Sequence, residues 1–193
     1  MSSLFPSGET PTNYLTLSRS SELKFLFVFI FCFAILHALY FFVPDYILCD
    51  WINHYTIVIL SADVINYFAP QEMVAAVGNK LVSHSVTLNV VRGCDGAGAT
   101  FLLIAAIVAF RAKLKDKVLG ILVGAFLLYA INQLRIIGLY FVMAHDKQWF
   151  VLIHTYIAPS LIVILSSVFF TWWALRASSN VGKSNANDKK TIA

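Results

Sequence analysis

Three side chains of different chemistry, the Cys94 thiol, the Arg135 guanidinium and the His154 imidazole, stand in three separate apolar stretches of this chain. A thiol becomes a nucleophile when a neighbouring base takes its proton, and imidazole is suited to that task. A guanidinium stabilises the oxyanion formed when a thiolate adds to a carbonyl. Together the three suit acyl transfer, and that logic needs no aspartate. Cys94 lies between Gly93 and Asp95-Gly96, where an expected strand passes into an expected helix. The free N–H groups at a helix start favour the thiolate. Gly93, Gly96 and Gly98 are expected to let another backbone approach closely. Asn132 lies three residues before Arg135 and so shares its helix face. Polar groups paired on one face of an apolar helix point into a protein cavity. Pro159 lies five residues after His154 and cannot donate to the Thr155 carbonyl, which predicts a kink beside the imidazole. Asn132, Asp95 and Gly96 are therefore the supporting residues of the candidate site.

The elements that must position these groups follow from the apolar runs. Of the 193 residues, 59% are hydrophobic and 12% charged. Soluble domains run nearer about 45–50% and about 25%. The excess sits in long runs at residues 25–43, 97–110 (extended upstream to Gly93), 118–144 and 149–175. Runs of that kind read as spanning helices. A secretory signal peptide competes for the first run. Its apolar region would be only about 7–15 residues, and Pro44-Asp45-Tyr46 makes a poor cleavage site. Arg111, Lys113, Lys115 and Lys117 crowd one short loop and place it in the cytoplasm by the positive-inside rule. Arg19, Lys24, Arg176, Lys183, Lys189 and Lys190 agree with that orientation.

Depth then links the three chemical groups. Cys94 opens the second run from outside, and His154 lies about one turn inside the fourth. Arg135 comes seventeen residues after Val118, about 26 Å up the third run at 1.5 Å per residue. All three thus share the outer level. Between the first and second runs, residues 55–68 are apolar but short, and are interrupted by Asp63 and Asn66. They are expected to form a helix in the outer interface. Residues 82–90 alternate apolar and polar, the mark of a strand with one buried face. Residues 73–77 are expected to pair with it through a turn at Gly78-Asn79. The predicted fold is an all-α membrane protein, a polytopic helical bundle of about four spans with an extracytoplasmic interfacial helix and a short β-hairpin. Residues 23–176 would form the membrane catalytic domain, with disordered cytoplasmic tails at 1–22 and 177–193.

Other residues carry weaker signals. Cys32, Cys49 and Cys94 make no CxxC pair and no zinc spacing, so neither a metal nor another cofactor is expected. Cys32 reads as a small buried hydrophobe. A disulfide between Cys49 and Cys94 is the competing reading for that pair. Arg135 has its own alternative, in which the side chain snorkels to lipid headgroups. His37, His54, His84 and His145 read as structural or solvated, and Asp63 as facing water. The net charge of +4 sits at the ends of apolar runs, where it sets topology, so the lipid bilayer and no nucleic acid is the expected partner.

The segment Val91-Arg92-Gly93-Cys94-Asp95-Gly96, followed by Asn132-Gln133-Leu134-Arg135-Ile136 and by His154 before the last apolar run, resembles the exosortase/archaeosortase family. The similarity covers roughly residues 80–176. It implies a transpeptidase-like cysteine enzyme, multi-pass in the cell membrane, with its active site on the extracytoplasmic face. Its partners would be exported proteins ending in a short motif, a transmembrane segment and a basic tail. The family's proposed Cys, Arg and His fall on Cys94, Arg135 and His154. A non-enzymatic membrane accessory subunit for surface polysaccharide or protein export is the alternative function.

Overall fold

A computed structural model describes the backbone of residues 11–191 and the side chains of residues 22–178. The expected tails at 1–22 and 177–193 lie outside the residues described with side chains, apart from their innermost positions. Helix α1 (Pro11–Phe42) contains the apolar stretch Glu22–Phe42, of mean hydropathy 2.5. Pro44, which lacks an N–H, follows its end. Among the described residues, three helical stretches are long and apolar enough to cross a membrane: Glu22–Phe42, Leu114–His145 and Lys147–Ser178. The run expected as a fourth crossing forms α3 (Ala97–Ala109), thirteen residues or about 20 Å of helix. It starts at Ala97 rather than Gly93, because Gly93 and Gly96 take left-handed conformations that no helix accommodates.

After Pro44 the chain forms a wide π-type helix, Tyr46–Val58, which continues into α2 (Ile59–Phe68). The helix expected over 55–68 therefore begins nine residues earlier. Leu48, Cys49, Asn53, Ile57 and Val58 are buried along it, and Asp50, Asn53 and His54 had hidden that stripe from an apolar-run criterion. Asp63 is exposed, as expected. A short 3₁₀ turn at Pro70–Glu72 leads to a three-stranded antiparallel sheet of β1 (Ala75–Val77), β2 (Lys80–Val82) and β3 (Thr87–Asn89), in that order.

The turn at Gly78-Asn79 joins β1 to β2, with Val77 opposite Lys80 and Ala75 opposite Val82. Residues 82–90 do not form one strand. The chain reverses at Ser83, whose Oγ accepts from the N–H of Ser85 at 3.3 Å and of Val86 at 3.2 Å. Leu81 consequently pairs with Leu88 in a second hairpin. Alternation correctly marks Val86, Leu88 and Val90 as buried. It carries no information on where a hydroxyl can close a local turn.

Helix α4 (Leu114–His145) is followed by α5 (Lys147–Leu152), a π segment at Ile153–Ile157 and α6 (Ala158–Thr191). Two apolar clusters hold the molecule. One packs Ile57, Val58 and Ile65 with Leu81, Leu88 and Val90 of the sheet region, and with Ile136, Leu139 and Tyr140 of α4. The other packs Leu103 and Ile107 of α3, Leu128 of α4, and Ile162, Phe169 and Trp173 of α6. In the second cluster the Trp173 indole occupies the place of a side chain at Gly120, and Leu103 and Phe169 do so at Gly124. Small residues on one helix face allow this close approach.

Candidate active site

Cys94 sits in a tight turn, with its N–H donating to the Val91 carbonyl at 2.9 Å. Gly93 (φ +90°) and Gly96 (φ +79°) flank it in conformations that glycine adopts without steric cost. The Ala97 N–H donates to Asp95 Oδ1 at 3.1 Å, one turn-end contact that starts α3. The thiol is half-buried and points at His154, with Sγ 3.1 Å from Nε2.

His154 lies in the π segment that precedes Ala158-Pro159. The helix widens there, and π turns inside helices recur at functional sites. Its ring stacks on Phe150 with centroids 5.3 Å apart and planes 12° from parallel, which fixes the imidazole's orientation. Arg135 approaches from α4. Its Nη1 donates to the Cys94 carbonyl at 3.5 Å and to Asn132 Oδ1 at 3.3 Å. The structure thus brings Cys94 and His154 into direct contact and sets Arg135 against the backbone of the thiol's own residue.

Asn132 is 1% exposed, beneath Gly96. A Cβ at residue 96 would stand 3.0 Å from Asn132 Cγ, so the loop lies directly on this amide. The close approach expected at Gly93, Gly96 and Gly98 occurs only at Gly96, and against a side chain. Gly93 and Gly98 have open space. Asn132 Nδ2 and Arg135 Nε are both buried without a partner. An unsatisfied buried donor costs about 1–3 kcal/mol. Two of them one helical turn apart, beside a thiol, leave unused capacity for an acceptor oxygen.

The loop is anchored by residues that sequence reasoning did not assign. Arg92 donates to Asp45 Oδ1 through Nε (3.0 Å) and Nη2 (2.7 Å). It also donates to the carbonyls of Tyr40 (2.6 Å) and Val43 (2.5 Å), at the end of α1. Its guanidinium lies 4.8 Å from the Tyr40 ring centroid. The hydrogen bond it donates to Asp45 holds the Arg92 pKa above its ordinary value. Tyr40 completes the clamp, donating its hydroxyl proton to Asp95 Oδ2 and accepting from the Gly93 N–H at 3.3 Å. Asp95 therefore supports the loop and engages α1 instead of the thiol. An arginine two residues before the cysteine was the one available signal. Its partners are separated from it by 47 to 52 residues, beyond any local period.

All three cysteines are free, so the Cys49–Cys94 disulfide does not form. Burial pushes the Cys49 thiol above the ordinary range, which suits a packing role. The other histidines stand apart from the thiol. His54 Nδ1 contacts the Gly78 carbonyl at 2.7 Å, His145 Nδ1 the Phe141 carbonyl at 3.0 Å, and His37 meets the Phe101 edge. Among the described residues no three His, Cys, Asp or Glu side chains group as metal ligands. No family model matches the chain, and neither a curated protein nor a solved structure does.

Proposed function

We propose that this chain is an integral membrane cysteine peptidase or transpeptidase of the exosortase/archaeosortase kind, multi-pass in the cytoplasmic membrane with Cys94 at the extracytoplasmic face. Its substrates are exported proteins that carry a C-terminal motif, a transmembrane segment and a basic tail. The single observation that carries the reading is the 3.1 Å contact between Cys94 Sγ and His154 Nε2.

In this reading His154 takes the thiol proton, and the thiolate adds to the scissile carbonyl. The oxyanion is held by the Arg135 guanidinium. The C–N bond breaks, His154 returns the proton to the leaving amine, and the acyl group remains on Cys94 as a thioester. Water or an amine then releases it. The Cys94→Ala protein is expected to insert and fold normally and to leave substrate uncleaved. Cys94→Ser is expected to be nearly as inactive, since a hydroxyl has no thiolate-like fraction at neutral pH. The check is substrate processing in cells, with hydroxylamine release of the trapped acyl-enzyme. Full processing by Cys94→Ala at normal expression would end this reading in favour of the accessory subunit.

A further inference from the structure

The three-stranded sheet has two edges of different character. Strand β1 packs against the helix of residues 46–58 and against α2. Strand β3 pairs with β2 on one side and with no strand on the other. The phase of the β2–β3 pairing fixes which backbone groups face that open side. The Ser83 N–H donates to the Val86 carbonyl and the Val90 N–H to the Asn79 carbonyl, both at 2.8 Å. In an antiparallel ladder, hydrogen-bonded pairs alternate with non-bonded ones. Leu81–Leu88 therefore falls in the bonded set, and Thr87 and Asn89 turn their N–H and C=O groups outward. Among the described residues no hydrogen bond reaches these groups. Both residues are exposed.

An open strand edge is a template for another strand, and proteins guard such edges with lysine, proline or a bulge. The stretch Thr87-Leu88-Asn89-Val90-Val91 carries no charge and no proline. Its threonine and valines favour extended chain. Leu88 and Val90 are buried on the inner face and hold the strand in place. The edge also runs into the site. The Cys94 N–H donates to the Val91 carbonyl at 2.9 Å, so the turn that carries the thiol is folded onto the end of this strand. At 3.3 Å per residue, Thr87 to Val91 covers roughly 13 Å, about four residues of an extended peptide. Unpaired main-chain donors and acceptors in a row suit such a peptide, which gains affinity from backbone hydrogen bonds.

We propose that the substrate residues preceding the scissile bond add to this sheet as a fourth strand, parallel to β3 along its open edge. The proposal rests on the acyl-transfer reading above and names how that substrate is held. Its direction follows from the course the substrate must take, from outside the bilayer, past the thiol, and into the membrane. This chain takes the same course itself, from β3 through Cys94 into α3. A parallel strand brings its scissile carbonyl to Cys94, and its transmembrane segment then enters the bilayer. An antiparallel strand on the same edge would lead its C-terminal side away from the thiol. Thr87 and Asn89 act here through their backbone, as binding residues.

The probe is the exported protein that accumulates uncleaved in cells carrying Cys94→Ala. Full-length protein with Cys94→Ala and Asn89→Cys is expressed with this probe, whose residues before the cleavage site are replaced by cysteine one at a time, and the cells are oxidised. One maximum of disulfide-linked product is expected, with weak yields on either side of it, because neighbours along a strand face opposite sides of the sheet. With Thr87→Cys in place of Asn89→Cys, the maximum is expected to move about two residues further from the cleavage site, since parallel strands keep step. A move toward the cleavage site, or equal yield at every position, overturns the proposal. In the active protein, Asn89→Pro removes the outward N–H and leaves the ladder bonds intact. It is expected to lower processing about fivefold to tenfold, the size of one hydrogen bond. Asn89→Ala keeps the N–H and is expected to process within about twofold of the parent. The alkylation rate of Cys94 and the thermal midpoint should be the same in both, which separates lost binding from a disturbed loop. Equal processing by the two variants overturns the proposal. If no protein accumulates in Cys94→Ala cells, the acyl-transfer reading falls and takes the strand with it; a probe that accumulates but ignores every change at the edge sinks the strand alone.

Discussion

The cluster of α3, α4 and α6 and the Cys94 end of this molecule are built on opposite principles. In the cluster of α3, α4 and α6, surfaces fit by shape: the rings of Trp173 and Phe169 fill the spaces left by Gly120 and Gly124. Side-chain hydrogen bonds between its helices run from Trp173 Nε1 to the Asp116 carbonyl at 3.0 Å and from Lys117 Nζ to the Val108 carbonyl at 2.7 Å. At the Cys94 end the contacts are directional. Arg92, Tyr40, Asp45 and Asp95 interlock around one loop, and three buried nitrogens, of Asn53, Asn132 and Arg135, stay unpartnered. Shape complementarity stabilises without demanding particular chemistry. Directional contacts with spare capacity hold reactive groups in place and leave room for a substrate, at some cost in stability. The lesson is a division of labour within one short chain.

The largest effect that would sharpen this comparison is kinetic. Arg135→Lys keeps the charge but loses the planar fork, and is expected to lower the processing rate by about 10²–10³-fold with little change in thermal stability. Rates and melting curves measured on the same preparation check this; an unchanged rate would remove Arg135 from the chemistry. Gly124→Leu is the counterpart in the other region. It drives a side chain into Leu103 and Phe169 and should cost roughly 1–3 kcal/mol of stability, read by denaturant titration in detergent. A neutral result would break the claim that shape alone holds that cluster.

Arg92→Lys tests the clamp. Lysine cannot reach Asp45 and two carbonyls together, so the loop should shift. A displacement of about 1 Å costs up to roughly 10²-fold in rate, so the rate is expected to fall by about tenfold or more while stability changes little. Cys94→Ala in the same background should abolish the processing that remains. Asp45→Asn should have the smallest effect. Its carboxylate is 78% exposed, and such a pair contributes about 0–1 kcal/mol, so thermal stability should barely move. A large loss there would mean that the Arg92 anchor depends on charge more than on the helix-end carbonyls.

Much of the arrangement was legible in one dimension. Apolar run length located the three long helices, because crossing a hydrocarbon layer demands about twenty apolar residues. The rise of 1.5 Å per residue put Cys94, Arg135 and His154 at one level, since depth along a helix is a linear function of position. Asn132 and Arg135 were joined by their spacing of three, and the hydrogen bond between them at 3.3 Å follows from that spacing. Gly78-Asn79 marked its turn because the local residue types set its backbone angles.

What the amino-acid order determined, then, was period, depth and local turn chemistry, each a property of neighbouring residues. Only the tertiary structure decided which way each helix faces and what lies across from it. The start of a helix at Tyr46, the widening at Ile153–Ile157, the clasp of Arg92 on the end of α1 and the unpartnered amide of Asn53 all depend on that. Each arises where elements distant in sequence compete for one polar group. The outcome of such competition is settled by rotation about helix axes and by packing, which no single segment contains.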